Sequence, residues 1–99
     1  MLLINKQENG PEFIMSLEGR LDTLTASQFE AELRKVIKNV NVLVLDMEKL
    51  TYVSSAGLRV LLKAQQVMEK QGSMVIRNAN QEIRDVFELT NFDDILTIE

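Results

Sequence analysis

The run Val42-Leu43-Val44-Leu45 constrains this chain more than any other segment, because it is apolar at four consecutive positions. A strand with one wet face alternates, whereas a strand shielded on both faces reads as continuous apolar sequence and is usually central and parallel. A parallel neighbour requires a long crossover, generally a helix. Val60, Leu61, Ala64, Val67 and Met68, widened by Leu58 and Leu62, give a helical stripe over Ser55–Lys70. Gly72 is its C-terminal stop, and Met74-Val75-Ile76 is the next apolar strand. Strand, helix and strand make a βαβ unit with a right-handed crossover.

The flanking segments extend this unit into an α/β domain. Asn9-Gly10-Pro11 is a turn signal between strand-like Leu2–Gln7 and Glu12–Leu17, which predicts an antiparallel hairpin near a sheet edge. Thr25 followed by Gln28 reads as a capping box. Phe29, Leu33, Val36 and Ile37 then form one face of a helix that ends near Asn39, with Glu30, Arg34, Lys35 and Lys38 on the solvated side. Asp46 is expected to close the central strand, leaving Met47–Val53 as a connection. Asn80 caps a last helix, Gln81–Leu89, with Ile83, Val86 and Phe87 on its inner face, and Phe92, Ile95, Leu96 and Ile98 give an apolar ending. The expectation is one domain over residues 1–99: a mixed sheet of four or five strands with helices mainly on one face.

Composition narrows the chemistry. The chain has 99 residues, no cysteine and no histidine, so disulfides, thiolate nucleophiles, Cys/His zinc sites and Ser-His-Asp triads are out. No spacing makes Lys49 or Lys63 a base for a serine nucleophile, and no Gly-rich phosphate loop is present. Fifteen acidic against 11 basic residues give a net charge of −4, the wrong sign for a nucleic-acid or anionic-membrane binder. The opening residues lack a basic leader with an apolar stretch, and the reading expects a cytoplasmic protein with no cofactor and no metal.

In open α/β sheets functional groups collect where strands end and helices begin. Here that place is Thr51-Tyr52-Val53-Ser54-Ser55-Ala56-Gly57-Leu58. One hydroxyl can cap the helix, and capping alone would explain one serine. The second is then surplus, and Gly57 costs roughly 0.8–1 kcal/mol against Ala inside a helix. A serine there could accept a phosphate, adding about −1.5 to −2 charges that a helix start tolerates and a docked partner does not. Asp22 and Asp46 could meet a partner or a metal, or simply form turns. Tyr52 and Val53 could touch a partner or lie under the sheet, and Arg59 could pair with an acidic surface or stay solvated.

The segment Leu45-Asp46-Met47-Glu48-Lys49-Leu50-Thr51-Tyr52-Val53-Ser54-Ser55-Ala56-Gly57-Leu58-Arg59-Val60-Leu61-Leu62 resembles the signature of bacterial anti-sigma factor antagonists, the stand-alone STAS domains. Gly19-Arg20-Leu21-Asp22 is similar to that family's Gly-x-Leu-Asp. The resemblance implies partner switching without catalysis. The unphosphorylated antagonist binds an anti-sigma factor that is also a serine kinase of the histidine-kinase-like ATPase fold. Phosphorylation abolishes binding, and a metal-dependent serine phosphatase restores it. Well-known members read Asp-Ser-Ser/Thr-Gly-Leu with the acceptor just before Gly; aligned on Gly57-Leu58, this chain has Ala56 there and Ser54 in place of Asp. Another branch reads Ser-Ser-Ala-Gly-Leu, as here, and implies Ser55 as phosphoacceptor, with Ser54 as second choice. The implied partner-binding set is Asp22, Thr23, Tyr52, Val53, Ser54, Ala56, Gly57 and Arg59. A different reading keeps the fold and drops the switch: a structural subunit of a signalling scaffold or a membrane-lipid transport complex.

Overall fold

The computed structural model describes residues 1–99. Five strands form one sheet in the order β1-β2-β3-β4-β5: Leu2–Asn9, Glu12–Leu21, Val42–Val53, Ser73–Arg77 and Thr97–Ile98. β1 and β2 are an antiparallel hairpin turned by Gly10-Pro11, while β2, β3, β4 and β5 run parallel. Helices α1 (Ala26–Val36), α2 (Ser55–Gln71) and α3 (Gln81–Leu89) supply the crossovers, with 3-10 turns at Ile37–Asn39 and Phe92–Asp94. All three helices bury their apolar stripes in a single cluster of 23 residues against Met15, Leu17, Leu43, Leu45, Met74 and Ile76 of the sheet. The small α/β domain expected from the sequence is therefore present, with five strands and the helices on one face.

β3 is central, but its shielding differs from a strand with helices on both sides. Val44 is fully buried yet lies outside the helix-side cluster. It pairs laterally with Ile14 of β2 and Val75 of β4. Arg77 on β4 reaches across β3 to Glu12 on β2 (3.7 Å) and also holds Glu99 (3.0 Å), so its side chain roofs Val44 on the face without helices.

Three local readings are corrected. Met47–Val53 is not a connection: β3 runs on through it to Val53, past Asp46. Two register shifts against β2, one between Ser16 and Glu18 and one between Gly19 and Arg20, add a residue to β3 each time. The core positions therefore fall at Leu45, Met47, Leu50 and Val53 rather than at strict alternation. The capping box at Thr25 and Gln28 does not form, since Thr25 makes no side-chain cap bond. Its hydroxyl donates to the Arg20 carbonyl (2.7 Å) and accepts from the Asp22 amide (2.9 Å). The Gln28 amide instead donates to the Leu2 carbonyl (3.0 Å). The Arg20 amide bonds the Met1 carbonyl, which phases the ladder so that the backbone amides and carbonyls of even-numbered β1 residues point away from β2. Gln28 thus covers part of an open sheet edge.

Val67, placed on the buried stripe of α2, is instead 40% exposed, beside Leu33 and Ile37 in a shallow groove between α1 and α2. Gly72 ends α2 as expected, in an extended conformation (φ 174°). A Cβ there would stand 1.8 Å from the Asn41 carbonyl oxygen, so the glycine permits a close backbone crossing at the start of β3 and β4.

α1 is tied to the hairpin by charge. Glu32 meets Lys6 of β1 and Lys35 of its own helix. Lys6, then Lys35, lowers the Glu32 carboxyl from its usual 4.5 to about 2. A depressed carboxyl stabilises the fold above its unfolded pKa, and that contribution disappears as pH falls from about 4.5 toward 2. The thermal midpoint is expected to drop between pH 5 and pH 2.5, and Glu32→Gln to flatten that part of the profile at low salt. Equal slopes for the two proteins in a series of melts would contradict this.

Candidate functional site

The parallel strands deliver three loops to one edge of the sheet. β2 and β3 end side by side, with Leu21 paired to Val53 and the Ser54 amide donating to the Leu21 carbonyl (2.8 Å). The third loop, after β4, is fastened to β3 by Asn80, whose side-chain amide donates to the Leu50 carbonyl (3.1 Å) while its oxygen caps α3 at the Ile83 amide (2.9 Å).

At the β3–α2 junction the two serines separate in role. Ser54 has extended backbone angles (φ −97°, ψ 173°) and its hydroxyl accepts from the Gly57 amide (3.2 Å), making it the N-cap. Its side chain is buried. Ser55, the first helical residue, is exposed, and its hydroxyl has no hydrogen-bond partner within the protein. The first turn of α2 contains no acidic residue. Gly57 is explained by packing, since a Cβ would lie 2.7 Å from Leu21 Cγ and 3.1 Å from the Leu21 oxygen. The helix start is therefore pressed onto the end of β2, and the glycine makes room for Leu21.

The β2–α1 loop is locked by Asp22. One carboxylate oxygen accepts from the Leu24 and Thr25 amides (3.0 Å each) and lies 3.2 Å from the Thr25 hydroxyl oxygen. The Thr25 amide does most to hold the carboxyl below its usual value. Asp22 is thus a turn-former, and so is Asp46, which accepts from the Glu48 amide (3.0 Å) and from Asn78 (3.2 Å). The structure does not bring the two carboxylates together, because Asp46 pairs with Ser16 well before β2 ends. Nowhere do three metal-ligating side chains converge.

Of the remaining candidates, Val53 and Gly57 are buried and Ala56 is partly buried against the core. Thr23, Tyr52 and Arg59 are exposed. The Arg20 guanidinium stacks 4.2 Å from the centre of the Tyr52 ring and lies 3.9 Å from Asp22. At an exposed site such stacking is worth about 0.5–1 kcal/mol and ties the Tyr52 ring to Arg20 of the neighbouring strand. Sequence reasoning missed Leu24, which is 87% exposed in the Asp22 loop. Its one signal is a leucine within a turn, outside any apolar period.

A family model described as the STAS domain matches residues 4–99, nearly the whole chain. The chain belongs to the STAS domain family. Its similarity to BtrV of Bordetella bronchiseptica, whose name gives it as a candidate anti-sigma factor antagonist, is 41% identity over 87 residues, covering 86% of this chain and 75% of that one. The fold of this STAS domain is shared with an anti-sigma factor antagonist from Mycobacterium paratuberculosis at 19% identity (TM-score 0.91, 99% of this chain and 85% of the other). It is also shared with the Bacillus cell fate determinant SpoIIAA, solved in a phosphorylated form, at 19% identity (TM-score 0.73, 100% and 91%). No helix of the STAS domain is long and apolar enough to cross a membrane.

Proposed function

We propose that this STAS domain is an anti-sigma factor antagonist that works by partner switching on Ser55. The unphosphorylated protein docks an anti-sigma factor that is also a serine kinase of the histidine-kinase-like ATPase fold. That kinase transfers the γ-phosphoryl of ATP to Ser55 Oγ, leaving ADP and a protein that no longer binds. A metal-dependent serine phosphatase hydrolyses the ester, releases inorganic phosphate and resets the switch. The docking face is the sheet edge carrying Asp22, Thr23, Tyr52, Ser55, Ala56 and Arg59, with Leu24 beside them. Val53, Ser54 and Gly57 support that face from below.

The observation that carries this reading is the division of labour between the serines. Ser54 Oγ is occupied by the helix amide, whereas Ser55 Oγ is free and in water. A phosphate at Ser55 adds about −1.5 to −2 charges at an exposed helix start, so it alters the surface without costing the fold. The names of BtrV and of the phosphorylated SpoIIAA structure support the same class of activity.

Intact-mass analysis after incubation with ATP and each serine kinase of this type from the same genome tests the proposal. One phosphate is expected on the wild type and on Ser54→Ala, and none on Ser55→Ala. Ser54→Ala loses about 1 kcal/mol with its cap, while Ser55→Ala melts like the wild type. Calorimetry with the modifying kinase should show binding that the phosphate removes. Phosphate retained by Ser55→Ala moves the switch elsewhere, and no phosphate from any kinase, with co-purification in a large assembly, overturns it in favour of a scaffold subunit.

A further inference from the structure

Four of the five arginines are engaged. Arg20 stacks on Tyr52 beside Asp22, and Arg34 pairs with Glu30. Arg77 holds Glu12 and Glu99, and Arg84 donates to the Ala79 and Glu99 carbonyls. Arg59 makes no ion pair, no side-chain hydrogen bond and no aromatic stack. It is exposed on α2, one helical turn beyond Ser55.

We propose that Arg59 is the built-in partner of a phosphate on Ser55, closing on it across one turn of α2. The inference rests on Ser55 as the modified residue and adds what the rest of the molecule does with the new charge. Residues i and i+4 on a helix are neighbours about 5–6 Å apart at Cβ, and the arrangement with the anion on the N-terminal side is the favoured one. Long helical side chains lean back over the preceding turn, which carries the Arg59 guanidinium toward Ser55. Its planar fork matches two phosphate oxygens at once. No carboxylate of the protein holds Arg59. The first turn of α2 is free of acids, and Asp22 is already satisfied by its own loop and Arg20. Lys63, the next cation along α2, is bound to Glu30 (3.3 Å). Phosphorylation then changes the docking face twice, by adding an anion and by withdrawing a free guanidinium.

The test installs phosphoserine at position 55 by stop-codon suppression, so that no kinase is needed, in the wild type, Arg59→Lys and Arg59→Gln. Two readings are taken on the folded proteins: the Nε–Hε NMR signal of Arg59, and the rate at which alkaline phosphatase removes the phosphate. The signal is expected to shift on phosphorylation of the wild type. Removal should run about threefold faster for Arg59→Gln, with Arg59→Lys between. An unmoved Nε–Hε signal with equal removal rates in all three proteins overturns the pairing. Because the phosphate is encoded, that failure leaves the kinase assay on Ser55 standing, and failure of the kinase assay leaves this result standing.

Discussion

Gly72→Ala is expected to lower the thermal midpoint by roughly 12–24 °C. The methyl carbon would be placed 1.8 Å from the Asn41 carbonyl oxygen and 2.7 Å from its carbon, and both are backbone atoms. A clash with a flexible side chain can be relieved by a new rotamer, but this one can be relieved only by moving a strand. The same Asn41 oxygen accepts from the Ser73 amide (2.9 Å), beside the first rung of β3 on β4, where Val42 pairs with Ser73. Separating Asn41 from Gly72 therefore loosens the start of the parallel pair. Overpacking costs typically 1–3 kcal/mol, and an unyielding backbone puts this case at about 3. At about 4–8 °C per kcal/mol for a domain of this size, the loss is visible in one scanning-calorimetry run. A shift below about 4 °C would mean that the crossing is looser than the structure has it.

Phe29→Ala is expected to remove about 3–5 kcal/mol, near half of the stability of a domain this long. Phe29 is completely buried and is the largest anchor of α1 in the shared core. Urea titration should move the midpoint strongly while leaving the slope unchanged, the sign of lost stability without a change in exposed surface. One position on, Glu30 faces Arg34 and Lys63 at the surface, and Glu30→Gln should melt close to the wild type at moderate salt.

These two residues mark what a sequence displays and what it hides. Phe29 is visible because a helix repeats its buried side at 3.6 residues, and nothing distant is needed to see it. The same holds for the βαβ unit, the hairpin and the Asn80 cap. Gly72 is visible as a stop, but the obstacle that excludes a side chain is Asn41, thirty-one positions earlier, and only the folded chain brings them together. The second half of β3 was hidden for a related reason. Its buried residues are spaced two, three and three apart because extra residues bulge out of the pairing with β2. Past the continuous apolar run at Val42–Leu45, alternation was the remaining strand signal, and the bulges erase it. Thr25 and Gln28 satisfied a local motif and yet found better partners in the Arg20 carbonyl and in the open edge at Leu2.

The site was legible to a similar depth. Two hydroxyls ahead of a buried helix point to a junction where one residue caps and one is spare. Deciding between them takes the backbone angles of Ser54, and those follow from its tie to Leu21. Leu24 gave only the faint signal of a leucine outside any apolar period, because its exposure depends on a turn held by Asp22.

The bulged stretch of β3 also acts as a spacer whose residue count matters more than its composition. The end of the strand is pinned at Leu21, so deleting one residue between Glu48 and Thr51 would draw the chain inward by a single step. Ser55 would then slide into the position that caps α2, and Ala56 would take the place facing water. The same step would bring Leu58 to the place of Gly57, where even a methyl carbon meets Leu21 Cγ at 2.7 Å, so the length of the bulge sets the exposed hydroxyl and the seating of α2 together.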